Sequence, residues 1–101
     1  MGCAQIKSLQ TVLKLKRDLA NAYIDILKGS NLRFVTEPNN AKSNYWLNTL
    51  LAENKSHRDL IISATHRNNI QTRPSWGLMH HQKMYNDCMK SSLENTSYLS
   101  E

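Results

Sequence analysis

Between residues 3 and 28 the apolar side chains Ile6, Leu9, Leu13, Leu19, Ala20, Tyr23, Ile24 and Leu27 recur mostly three or four positions apart. That spacing predicts an amphipathic helix of roughly seven turns. Lys7, Lys14, Arg17 and Lys28 fall mainly on the other side, and no proline interrupts the run. Gly29 is placed to stop it, because glycine readily adopts the left-handed backbone that a helix end often needs. From Leu32 to Thr36 the period shifts to two among strand-forming residues. Glu37-Pro38-Asn39-Asn40 is turn chemistry. Residues 43–52, aromatic and aliphatic with polar interruptions, predict a second strand. It is antiparallel to the first, because the connection is too short for a crossover. Asn54 can cap a helix over residues 55–67, with Leu60, Ile61 and Ala64 turned inward. Ile70-Gln71-Thr72 reads as a short extended piece entering Arg73-Pro74. Residues 82–90 read as helical, and a further helix opens near Ser92.

This order predicts an α+β fold: a long N-terminal helix followed by a small antiparallel sheet covered by helices. A chain of 101 residues fits one domain with a thin core. No stretch approaches the ~20 apolar residues of a membrane span. The first residues lack both the roughly 7–15-residue apolar run and the cleavage site of a signal peptide, so the expected location is cytoplasmic. Cys3 and Cys88 make no disulfide framework and read as small hydrophobes rather than nucleophiles. The formal net charge of +5 is dispersed, so it permits an anionic ligand without requiring one.

The densest chemistry lies in Thr72-Arg73-Pro74-Ser75-Trp76-Gly77-Leu78-Met79-His80-His81. Proline and glycine keep this segment from being a plain helix. Arg73 can grip a phosphate or carboxylate through two parallel hydrogen bonds. Trp76 offers a flat face to a base or sugar, and His80 can donate or accept a proton near neutral pH. The plainer alternative makes Trp76 a core plug and pairs Arg73 with a carboxylate. Asn44, Tyr45 and Trp46 bring another amide and two aromatic rings to the second strand, where packing with Trp46 half-buried is the alternative. His80 and His81 are adjacent and therefore diverge, and His57 and His66 stand at no ligand-like spacing from them, so no metal site is expected. The three glycines are scattered rather than gathered into a phosphate loop.

Three segments together resemble the DegT-type sugar aminotransferases, which are pyridoxal-phosphate (PLP) enzymes acting on nucleotide-linked keto sugars. Gly2-Cys3-Ala4-Gln5-Ile6 with Lys16-Arg17-Asp18-Leu19-Ala20 and Tyr23 is similar to one of their helices. Ser43-Asn44-Tyr45-Trp46-Leu47-Asn48 is similar to a strand of their small domain. Ile70-Gln71-Thr72-Arg73-Pro74-Ser75-Trp76, with His80 and Tyr85, is similar to the segment entering the sugar site. The Arg-Pro-x-Trp form looks most like the legionaminic-acid and bacillosamine type, which aminates C4 of a UDP-linked 4-keto-6-deoxy sugar.

The resemblance implies that residues 1–28 are a linking helix and residues 29–101 an incomplete C-terminal small α+β domain of a fold-type-I aminotransferase. It implies substrate-binding roles for Arg73, Trp76, His80, Asn44 and Trp46, and no catalytic residue on this chain. None of the eight lysines matches the Schiff-base lysine, so PLP is expected in the intact enzyme and not on this chain alone. The implied partners are a nucleotide-sugar substrate, a large domain or partner chain, and a second subunit in a homodimer, with neither membrane nor nucleic acid. The isolated chain is then expected to be inactive, and its long helix to carry more apolar surface than so small a core can cover. A different reading is a small basic α+β module binding nucleic acid or a protein partner. Its basic residues, however, match no nucleic-acid motif.

Overall fold

The computed structural model describes residues 2–100, which fall into two compact units, one reaching to Ala52 and the other beginning at Glu53. In the first unit, helix α1 (Gly2–Ile6) and helix α2 (Leu9–Ile26) replace the single expected helix. The break falls at Lys7–Ser8. Both the backbone N–H and the hydroxyl of Ser8 donate to the carbonyl of Gln5, at 3.1 and 3.0 Å. Serine offers the chain this local alternative to the helical ladder. At the other end Gly29 takes φ 80°, as a left-handed stop requires.

Strands β1 (Arg33–Phe34) and β2 (Leu50–Leu51) pair antiparallel, Arg33 opposite Leu51 and Phe34 opposite Leu50. One more bond, from the N–H of Val35 to the carbonyl of Thr49, extends the ribbon. The expected direction is found, but both strands are much shorter than the pattern suggested. The reason lies at Ser43 and Asn44. Their side-chain oxygens accept the backbone N–H groups of Tyr45 and Trp46, at 3.0 and 2.9 Å, and Tyr45 is turned to φ 46°. These local turns consume donors that a strand ladder would need. Trp46 is left 68% exposed on the turn rather than half-buried in a strand.

Among the described residues the buried core is Ala20, Phe34 and Tyr45, with Ile24 and Leu27 packed against it. Ala20 lets the ribbon approach α2 closely. Phe34 sits between two tyrosines, with ring centroids 6.4 Å from Tyr23 and 6.2 Å from Tyr45, within the range of favourable aromatic pairing.

The second unit opens with helix α3 (Lys55–Arg67), capped as expected: Asn54 Oδ1 accepts the N–H of His57 at 2.9 Å. Its less exposed face carries His57, Arg58, Ile61, Ile62 and Thr65, so Ile61 is sheltered as expected while Leu60 and Ala64 face solvent. The expected helix over residues 82–90 is absent. Two single 3-10 turns, Met79–His81 and Lys83–Tyr85, stand there with looser turns after them. Gln82 between them is extended, with ψ 134°, and the segment has no continuous apolar stripe to hold a longer helix. Helix α4 (Glu94–Ser100) follows. No described helix is long and apolar enough to cross a membrane.

Candidate functional site

The Arg73 segment leaves α3 through a threonine anchor. The hydroxyls of Thr65 and Thr72 lie 2.6 Å apart, and His66 Nε2 donates to the carbonyl of Thr72 at 2.7 Å in the tautomer that carries its proton there. Beyond this anchor the chain is irregular from Gln71 to Leu78, as expected around Pro74 and Gly77 but without a third strand at residues 70–72. The Arg73 guanidinium lies over the Trp76 ring, 4.6 Å from its centroid. Trp76 is 62% exposed, so it is not a core plug, and Arg73 is exposed too and forms no ion pair among the described residues. Stacking fixes the plane of the guanidinium while leaving its outer N–H groups free. Such a pair can hold an anionic oxygen and cover a flat or apolar ligand face at once.

His80 takes a different place. With Tyr85, Cys88, Lys90 and Thr96 it borders an open depression of about 700 Å³. Its ring meets that of His81 edge-on at 4.3 Å between centroids. Burial, the neighbouring His81 and the Lys90 charge together push the His80 imidazole below its ordinary pKa of 6.5. At neutral pH it is therefore an uncharged hydrogen-bonding group. Gly77 and Leu78 connect the Arg73–Trp76 pair to this depression, which neither of those two side chains lines. Asn44 and Trp46 belong to the first unit. There Asn44 spends its oxygen on the turn, while the Trp46 ring is open to solvent. Cys3 and Cys88 are free thiols and both exposed, where small buried hydrophobes were expected. No group of three or more metal-ligating side chains occurs among the described residues.

One cluster escaped the reading of the sequence. Arg17 donates two hydrogen bonds to the Glu37 carboxylate, at 3.0 and 2.8 Å, and a third to the carbonyl of Ser43 at 2.7 Å. The N–H of Ser43 donates to the same carboxylate at 2.6 Å, and the Glu37 N–H donates to Tyr45 Oη at 3.3 Å. Arg17 was assigned to the solvated face of α2. Instead it belongs to the half-buried stripe that faces the core, since Leu13, Arg17, Ala20, Ile24 and Leu27 are spaced four, three, four and three apart. That interval was the available signal. The cluster braces the ribbon against α2 and presents no free functional group.

The sequence profile of the DegT/DnrJ/EryC1/StrS aminotransferases matches residues 1–101. The chain belongs to this aminotransferase family. It is 30% identical over 87 residues to GDP-perosamine synthase of Vibrio cholerae, covering 84% of this chain and 24% of that protein. It is 28% identical over 102 residues to a Bacillus subtilis (strain 168) protein carrying the name pyridoxal phosphate-dependent aminotransferase EpsN, covering all of this chain and 26% of that one. The chain thus spans about a quarter of the length of the curated relatives it matches. No solved structure matches it.

The family is PLP-dependent, and the described residues do not fit that cofactor. PLP needs a sheltered lysine for its aldehyde, a carboxylate at its pyridine nitrogen and a cradle of donors for its phosphate. The lysines are exposed except Lys16, which is half-buried on α2. Lys90 alone borders the depression, and its ammonium donates to the carbonyl of Asn86 at 2.8 Å. Among the described residues no carboxylate lines the depression.

Proposed function

We propose that this chain is the C-terminal portion of a PLP-dependent aminotransferase that aminates a UDP-linked 4-keto-6-deoxy sugar. Residues 1–28 form its linking helix and residues 29–101 part of its small domain. The Schiff-base lysine and the cofactor's other contacts belong to the remaining length of such an enzyme, which works as a homodimer. Alone, this chain does not transaminate.

The observation that carries the reading is the exposed Arg73–Trp76 stack on an irregular segment, in a chain of this family. A nucleotide sugar presents a diphosphate beside rings with apolar and hydroxylated faces. Arg73 supplies a delocalised cation for the diphosphate, Trp76 a face for the hexose or base, and His80 a neutral donor or acceptor for a sugar hydroxyl. Asn44 and Trp46, on the first unit, have substrate-binding roles of their own in the intact enzyme. The name of the Vibrio cholerae relative, a GDP-linked sugar synthase, supports the nucleotide-sugar class while differing in the base.

Two readouts test this reading. Borohydride added to the chain with PLP should trap no single lysine, whereas stoichiometric labelling at one lysine refutes the claim of inactivity. In a titration with the UDP-sugar, the Trp76 indole and His80 imidazole NMR signals should shift together and saturate. Signals that stay unmoved at saturating ligand refute the site.

A further inference from the structure

The Arg73–Trp76 pair stands on a stretch with one point of attachment. Among the described residues, the hydrogen bonds of residues 71–77 all fall at Thr72. The end of α3 brings Thr72 to them. Asn69 takes φ 59°, a left-handed turn that asparagine tolerates, and the N–H of Ile70 donates to the carbonyl of Thr65 at 2.9 Å. The chain is thereby folded back on the last turn of α3, and Thr72 meets Thr65. Thr65 Oγ1 lies 2.9 Å from the carbonyls of both Ile61 and Ile62, so its single proton is spent on the helix backbone. Across the 2.6 Å between the two hydroxyls Thr72 therefore donates and Thr65 accepts. A carbonyl can only accept, so the Nε2–H of His66 holds the Thr72 oxygen at 2.7 Å.

We propose that His66 and Thr72 are positioning residues for the Arg73–Trp76 pair, setting it in place before a sugar nucleotide arrives. Their role rests on the reading of that pair as a binding site. The Thr72 carbonyl belongs to the peptide unit that continues through the Arg73 nitrogen to its Cα, and that unit is planar. Holding the oxygen from His66 and the side chain from Thr65 therefore fixes the direction in which Arg73 leaves. Pro74 removes much of the remaining freedom, because it locks its own φ and confines the residue before it to extended backbone. The guanidinium so placed lies 4.6 Å from the Trp76 ring centroid, with no carboxylate among the described residues to hold it there. A pair kept stacked in the free chain takes its ligand without first ordering the segment, and ordering loose backbone lowers affinity. Neither His66 nor Thr72 has to touch the ligand to have this effect.

NMR of the ligand-free chain, followed by calorimetry with the UDP-linked 4-keto-6-deoxy sugar, tests this. In wild type the Arg73 side-chain protons should be shielded by the Trp76 ring. Thr72→Val, which keeps the shape and lacks the donor, should return them toward the values of a freely exposed arginine, and Thr72→Ser should restore the shielding. His66→Ala removes the other bond at an exposed helix position that alanine suits, and should act like Thr72→Val with helical circular dichroism unchanged. Where Thr72→Val itself lowers helicity, His66→Ala decides. Affinity for the sugar nucleotide should fall about tenfold in Thr72→Val and in His66→Ala, and recover in Thr72→Ser. Arg73 protons that stay shielded in both Thr72→Val and His66→Ala overturn the positioning role, and so does wild-type affinity in both. A wild type that binds no sugar nucleotide, while the shielding responds as stated, refutes the pair as a binding site and upholds His66 and Thr72 as what holds it.

Discussion

The Arg17 guanidinium and the Glu37 carboxylate, 20 residues apart in sequence, meet through two parallel hydrogen bonds of 3.0 and 2.8 Å. Arg17 and the N–H of Ser43 together hold the Glu37 carboxyl down to about 2 from an ordinary 4.5. Between those values the unfolded chain takes up a proton that the folded unit refuses. The stabilisation is therefore complete above about 4.5 and is lost as pH falls toward about 2. Acid titration followed by the Ser43 amide resonance should show the first unit loosening across this window. Glu37→Gln should flatten the dependence, and an unchanged acid profile in that variant counts against the clamp. Arg17→Lys should also weaken the unit, since an ammonium cannot reproduce the two-pronged geometry.

With so few buried side chains, each carries much of the unit. Phe34→Ala removes the ring between Tyr23 and Tyr45 and should cost about 3 kcal/mol, a large share of a small unit's stability. Leu60→Ala, at an exposed position of α3, should stay within about 0.5 kcal/mol. Thermal unfolding by circular dichroism compares the two, and equal losses contradict the assigned core.

Asn54 caps α3 through a single side-chain bond to the N–H of His57. Asn54→Ala should cost about 1 kcal/mol and lower the helical signal, with Asn54→Asp restoring it. Retained helicity in the alanine variant means that the cap contributes nothing.

His80 should titrate below 6.5 in NMR, because burial and then the His81 charge disfavour its protonation. His81→Asn removes the second cause and should move the titration part of the way back up. A midpoint at or above the ordinary histidine value contradicts the placement of His80 at the edge of the depression.

The elements legible in the sequence were those encoded by short-range rules. The helical period of α2, the left-handed stop at Gly29 and the Asn54 cap each depend on residues within a few positions, and all three are present. The strands were over-extended because alternation at residues 43–49 looks the same whether backbone donors go to a ladder or to the side chains of Ser43 and Asn44. Residues 82–90 carry helix-tolerant residue types without an apolar stripe, and tolerance alone did not make a helix. The Arg73 segment was recognisable from proline, glycine and residue chemistry, but nothing local foretold that Arg73 stacks on Trp76 while His80 turns to a separate depression. The charge of Arg17 points to the solvated face of α2, whereas its position points to the core. Its spacing from Leu13 and Ala20 sets it on the half-buried, core-facing side, where the charge calls for a partner.

The role given to the Arg73–Trp76 pair is tested most directly by calorimetry of the chain with the UDP-linked 4-keto-6-deoxy sugar. Wild type should show saturable binding, weak and on the order of millimolar because only part of the site is present. Arg73→Ala should lower the affinity about tenfold or more by removing the charge-assisted contact to the diphosphate, with the helical signal unchanged. Equal affinity in the wild type and Arg73→Ala would contradict the account.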